Sequence, residues 1–126
     1  MRNIFSQIFL GIIPTIHCCT SQESEHLGIF LMELFRMINR FAEEGVWKAE
    51  CAPYEGFRRL VGDPPKLETL TLEQYKKGNQ LIQSAFARNL AGCLHKPREQ
   101  FMKARCALQI LFRIRHVFPK DTAIAE

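Results

Sequence analysis

Residues 20–41 have the sequence TSQESEHLGIFLMELFRMINRF, and their pattern indicates a long α-helix. Its first residues, Thr20 to Glu23, have the Ser/Thr-x-x-Glu form of a capping box, which predicts that a helix starts there. Apolar residues then recur every three or four positions, the period of an α-helix. Because apolar residues occupy two faces of this helix, we expect it to be covered on two sides. The first face holds Leu27, Phe30, Leu31, Leu34, Phe35, Ile38 and Phe41, and the second holds Ile29, Met32 and Met37.

Three further segments show the same helical period. One spans about residues 2–17 and contains Pro14, which we expect to kink or end its helix. Another begins at the second capping pattern, Thr71 to Gln74. The last begins at Pro97, a residue suited to the first position of a helix, and should end at or before Phe118 because a proline follows.

The stretch between the second and third helices, residues 52–70, contains most of the closely spaced prolines and glycines. We expect a short helical turn near Phe57 to Leu60 and treat residues 52–70 as a candidate hinge within a single unit of residues 1–126. No segment shows sustained alternation of polar and apolar residues, so we expect no β-sheet.

The predicted fold is therefore all-α, with four long helices and short connections. A free four-helix bundle needs one apolar stripe on each helix. The second and fourth helices carry more than one apolar face, which favours the stacked helix pairs of an α-solenoid. We accordingly expect the chain to be a fragment of a longer helical array.

The composition fits one globular unit and excludes disordered and fibrous proteins, since 47% of the 126 residues are apolar. The net charge of +4 is uneven: residues 1–57 hold four bases and seven acids, and residues 58–126 hold thirteen and six. A basic half favours contact with nucleic acid or an acidic protein surface. The candidate contact residues are Lys96, Arg98, Lys103, Arg113, Arg115 and Lys120, together with Arg105. They are spread around a helix, and no RNA-recognition signature accompanies them.

No motif for catalysis, a cofactor or a metal is found. The sequence has no glycine-rich phosphate loop, and its four histidines have no nucleophile at a recognised spacing. Five cysteines at irregular spacing, without a Cys-x-x-Cys pair, indicate reduced thiols buried on helices. The short N-terminal apolar run is interrupted by polar residues, so a secreted or membrane-associated protein is the weakest alternative. We expect no enzyme activity, no cofactor and no membrane contact.

From Cys19 onward the chain resembles a region in the C-terminal half of the THO complex subunit 2 family. The matching blocks are residues 19–24 (CTSQES), 47–57 (WKAECAPYEGF), 72–75 (LEQY) and 103–119 (KARCALQILFRIRHVFP). The order and spacing of these blocks carry the resemblance, since no single block is specific. The positions that match the family's motifs, which the resemblance implies to be structural, are Cys19, Thr20, Glu50, Cys51, Gly56, Phe57, Arg105, Leu108 and Pro119.

The resemblance implies an α-solenoid scaffold in the nuclear THO/TREX machinery, which couples transcription to mRNA processing and export. It implies two kinds of protein partner, the other THO subunits and a DEAD-box RNA helicase, with RNA as a further candidate. The alternative that the residues leave open is a stand-alone helical protein whose basic face binds nucleic acid or an acidic protein.

Overall fold

The computed structural model describes residues 4–51, 53–54, 58–62, 66–95 and 98–119. The fold class is all-α, as predicted. The elements in chain order are α1 (Ile4–Ile16), α2 (Ser21–Phe41), the short α3 (Glu44–Val46) with a π-helical turn (Trp47–Cys51), β1 (Arg58–Val61), β2 (Lys66–Thr69), α4 (Leu72–Leu94) and α5 (Phe101–Ile114).

Both predicted capping boxes are present and set the starts of the two longest helices. The Thr20 hydroxyl accepts from the Glu23 amide at 3.3 Å, and the Glu23 carboxylate accepts from the Thr20 amide at 2.7 Å. The backbone hydrogen bond from Thr20 lowers the pKa of Glu23. Thr71 and Gln74 make the same reciprocal pair at the start of α4, at 3.3 and 3.2 Å. These bonds satisfy amide groups that the first turn of a helix leaves without partners.

Four phenylalanines meet at the centre of the molecule. Phe9 comes from α1, Phe35 from α2 and Phe86 from α4, while Phe118 follows the end of α5. The ring centroids of the contacting pairs lie 5.0–5.7 Å apart, and each ring is 4% exposed or less. This is the spacing that aromatic pairs prefer. The long helices therefore share one core.

Helices α2 and α5 run side by side in the same direction. Near the start of α2, the Ser24 hydroxyl oxygen lies 2.5 Å from Oε1 of Gln109, in the second half of α5. Near the end of α2, the Asn39 amide donates at 3.0 Å to the carbonyl of Val117, which follows the end of α5. Because the contact positions increase together along the two helices, their axes are parallel.

Helix α4 runs opposite to α2. The Tyr75 hydroxyl, near the start of α4, donates to the carbonyl of Ile38 near the end of α2 at 3.2 Å. One ring face of Tyr75 packs against Trp47, with centroids 4.8 Å apart. Burial raises the pKa of Tyr75 to about 12, so its hydroxyl keeps its proton and remains a donor.

The expectations of no sheet and of a helical turn near Phe57 to Leu60 are wrong. Arg58–Val61 and Lys66–Thr69 pair as an antiparallel hairpin, and Gly62, directly after β1, has a φ of 86° that favours glycine. Each strand has four residues, too few for an alternating pattern to stand out in the sequence. The hinge role of residues 52–70 stays a prediction.

Three predicted helix ends can be compared with the structure. Helix α1 continues through Pro14 to Ile16, because this proline lies in the last turn, where its missing N–H removes a single intrahelical bond. The predicted start of the last helix at Pro97 is wrong, because residues 98–100 form a turn and α5 begins at Phe101; Pro97 itself lies outside the described residues. Helix α5 ends at Ile114, before Phe118 as predicted. None of the described helices combines the length and the hydropathy needed to cross a bilayer.

Candidate interaction surface

The outer face of α5 carries large apolar side chains that no described element covers. Phe101, Leu108 and Phe112 are 64%, 56% and 63% exposed. Together with Arg105 they are spaced four, three and four residues apart, so all four lie on one stripe of the helix. The buried residues of α5 are Ala104, Cys106, Ala107, Ile110 and Ile114, and all of them except Ala104 lie on the face opposite the stripe.

This stripe forms one wall of an open groove of about 480 Å³ between α5 and the first turns of α2. Its lining is mostly apolar in surface, with charged groups at the rim. The lining residues are Glu25, Phe101, Ala104, Arg105, Leu108, Gln109, Phe112 and Arg113.

Two of the arginines near the groove already have partners. Arg113 forms an ion pair with Glu25, which joins α5 to α2. The guanidinium of Arg115 lies 4.0 Å from the centre of the Phe112 ring and donates to the Phe112 carbonyl at 2.6 Å. Arg105 is exposed, and among the residues that the structure describes none forms an ion pair or hydrogen bond with its guanidinium. The groove therefore presents apolar surface beside one unpaired positive charge.

The match to known proteins comes from a family model. The model described as "Tho2: Transcription factor/nuclear export subunit protein 2" matches residues 1–126. The chain belongs to the Tho2 family. No curated protein and no solved structure matches this chain. The family consists of subunits of the nuclear THO/TREX transcription-export complex, so the resemblance inferred from the four sequence blocks is confirmed.

Among the basic residues proposed as contacts in this Tho2 chain, those that the structure describes do not gather into one patch. Arg105 and Arg113 line the groove, and Arg98 is exposed before α5 begins. Lys103 is half-buried and lies near Cys93 of α4, where its charge offsets part of the burial that raises the pKa of that thiol. Two further candidates, Lys96 and Lys120, lie outside the described residues.

The positions expected to match the Tho2 motifs have several structural settings. Thr20 caps α2, and Cys51 is buried at the end of the π-helical turn. Glu50 is exposed and accepts from Arg40 of α2 at 2.7 Å, which ties the turn to that helix. Pro119 is exposed after α5. Arg105 and Leu108 line the groove, Cys19 is half-buried, and Gly56 and Phe57 lie outside the described residues.

The five cysteines of the Tho2 chain are free thiols in different environments. Cys51, Cys93 and Cys106 are buried, Cys19 is half-buried and Cys18 is exposed. Burial, reinforced by the neighbouring Cys106, raises the pKa of Cys19 to about 11. Cys93 Sγ lies 3.6 Å from Nδ1 of His17. Within the described ranges, no three His, Cys, Asp or Glu side chains are grouped closely enough to hold a metal ion.

Sequence reasoning found Arg105, Arg113 and Leu108 but not the groove. By helical period, one apolar face of the fourth helix holds Phe101, Ala104, Leu108, Leu111 and Phe112. In the structure Ala104 is buried while Phe101 and Phe112 are exposed. The only signal in the sequence was the surplus of apolar residues on this helix. The surplus shows that some of these residues stay exposed, but it does not show which ones.

Proposed function

We propose that this chain is a non-enzymatic scaffold segment of a THO/TREX-type complex that acts in nuclear mRNA processing and mRNA export. The observation that carries the proposal is the family match over residues 1–126. A scaffold needs exposed faces that bind its neighbours. The apolar stripe of Phe101, Leu108 and Phe112 supports this role, because apolar surface that is contiguous and exposed is typical of interaction sites.

The partners in this proposal are the other THO subunits, a DEAD-box RNA helicase and RNA. Family membership supports the first of these, and the resemblance described above supports the helicase.

The helices are proposed to be part of a longer solenoid. Ile29, Phe30 and Met37 of α2 support this arrangement, since these apolar side chains are 42%, 48% and 39% exposed.

Affinity purification from the native source tests the scaffold proposal. The chain, tagged and expressed at its native level, should recover the other THO subunits and the helicase. Nuclease treatment of the lysate should leave the THO subunits bound, since a scaffold contacts them directly. Recovery of none of the THO subunits would contradict the proposal, and loss of the helicase alone would restrict it to the THO contacts.

The geometry supports the stand-alone nucleic-acid-binding protein less well. A phosphate-binding face needs several free cations close together. Here Arg113 is paired with Glu25, and Lys103 lies on the side of α5 that faces Cys93.

A further inference from the structure

We propose that the groove between α5 and α2 binds an amphipathic helix of a partner protein, one that presents apolar anchor residues with an acidic side chain beside them. The inference assigns a surface and a partner chemistry to the scaffold role, and in that sense it rests on the proposed function.

The shape of the groove fits a helix. Phe101, Arg105, Leu108 and Phe112 follow one line along α5, which has 14 residues and is therefore about 21 Å long at about 1.5 Å per residue. A partner helix that lies along this line can place anchors at spacings of three and four residues between the two phenylalanine rings. Recognition of this kind uses a preformed apolar groove and few polar contacts.

The charge of the groove selects an acidic partner. Helix α5 contains Lys103, Arg105 and Arg113 and no acidic residue. Among the described residues that line the groove, Glu25 is the only acid, and it is already paired with Arg113. A neutral or basic helix would cover the Arg105 guanidinium without compensating its charge, which is costly. A partner carboxylate at that position forms an ion pair at the edge of the apolar contact.

Two other occupants fit the groove less well. Single-stranded RNA binds through stacked bases and several phosphate contacts, and only Arg105 is unpaired among the described residues of this wall. A second copy of the chain, related by a twofold axis, would place its own Arg105 in the same interface. Like charges brought together there oppose that dimer.

Selection from a peptide library tests the proposal on the full chain. The displayed helices have about 16 residues, fixed leucines at a three-four spacing and random residues elsewhere. We expect the selected peptides to carry Asp or Glu beside the leucines. Arg105→Glu and Leu108→Asp should each weaken their binding about tenfold or more, and exchanging the peptide acid for Lys should restore binding to Arg105→Glu.

Matched controls come from α4, which the groove does not include. Leu81→Asp removes an apolar side chain that is 63% exposed, and Arg88→Glu reverses an exposed positive charge. Both should keep peptide affinity within about twofold of the unchanged chain. Circular dichroism and urea unfolding of each variant show whether it is folded, so lost binding can be assigned to the groove.

Four results would overturn the proposal. The first is that no peptide binds Leu108→Asp more weakly than Leu81→Asp, and the second is that the selected peptides are neutral or basic. The third is that the groove binds a uridine-rich oligonucleotide in preference to the peptides. The fourth is that the chain forms a dimer and Leu108→Asp dissociates it. None of these measurements involves THO subunits. Failure here with intact recovery of THO subunits therefore counts against the groove alone.

Discussion

Gly28 of α2 lies directly against Arg113 of α5. A Cβ at Gly28 would be 3.1 Å from both Cβ and Cγ of Arg113, and 3.5 Å from the Cα of Ile110. The two helices approach so closely at this point that a larger residue would push the Arg113 side chain aside by a few tenths of an ångström. The same Arg113 pairs with Glu25 at the rim of the groove, so this close approach fixes the wall on which the proposed partner binds.

Gly28→Ala should give a less stable protein than the same substitution at Gly11. Alanine favours the helix at both positions by about 1 kcal/mol, but at Gly28 it also crowds α5, at a cost of about 1–3 kcal/mol. Gly11→Ala in α1 is the matched control, because a Cβ there meets nothing within 4 Å. Urea unfolding should place Gly28→Ala below Gly11→Ala in free energy of unfolding. Equal stability of the two variants would contradict the close contact.

Replacing phenylalanine by alanine should lower stability at Phe35 and weaken peptide binding at Phe112. Phe35 is fully buried in the central cluster, and Phe35→Ala should lower the free energy of unfolding by about 3–5 kcal/mol. Phe112 is exposed in the groove, and Phe112→Ala should change stability by about 0.5 kcal/mol or less while weakening the selected peptides. Chemical denaturation and peptide titration of both variants measure this. A large loss of stability in Phe112→Ala would mean that this ring is a core residue.

The helices were predictable where local chemistry determines them. The reciprocal bonds of Thr20 with Glu23 and of Thr71 with Gln74 need residues only three positions apart, so their motifs are visible in the sequence. The hairpin was missed because it depends on pairing between residues on opposite sides of the turn, such as Arg58 and Thr69, which the sequence does not show. Strands of four residues are also too short for a recognisable alternation of polar and apolar residues.

The candidate site was predictable only in part, for a related reason. Periodicity shows that α5 has more apolar residues than one buried face requires, but coverage depends on which helices pack against it. Ala104 is buried and Leu108 exposed although both are apolar and lie one turn apart. The pairing of Arg113 with Glu25, which are distant in sequence, likewise needs the packing of α5 on α2.

Thiol labelling of the native protein should show one fast cysteine. Cys18 is exposed, whereas Cys51, Cys93 and Cys106 are buried, and the raised pKa of Cys19 reduces its reactive thiolate at neutral pH. Ellman's reagent at about pH 7.5 should therefore give one rapid equivalent, and all five in denaturant. Cys18→Ala should abolish the rapid phase. A second rapid thiol in that variant would show that one of the other cysteines is exposed in solution.

Alkaline pH should destabilise the fold partly through Cys19. Burial, followed by the nearby Cys106, raises the pKa of this thiol from 9.0 to about 11, so the unfolded chain loses the proton first. Its contribution to stability is complete below about pH 9 and is lost as the pH rises to about 11. Urea midpoints measured across this window should fall less steeply for Cys19→Ala than for the unchanged chain, while Cys18→Ala, at the adjacent exposed thiol, should keep the original slope. Some fall should persist in Cys19→Ala, since burial also raises the pKa values of Cys51 and Cys93. If Cys19→Ala kept the full slope, the alkaline loss of stability would have to come from these other thiols and from Tyr75, whose pKa burial raises to about 12.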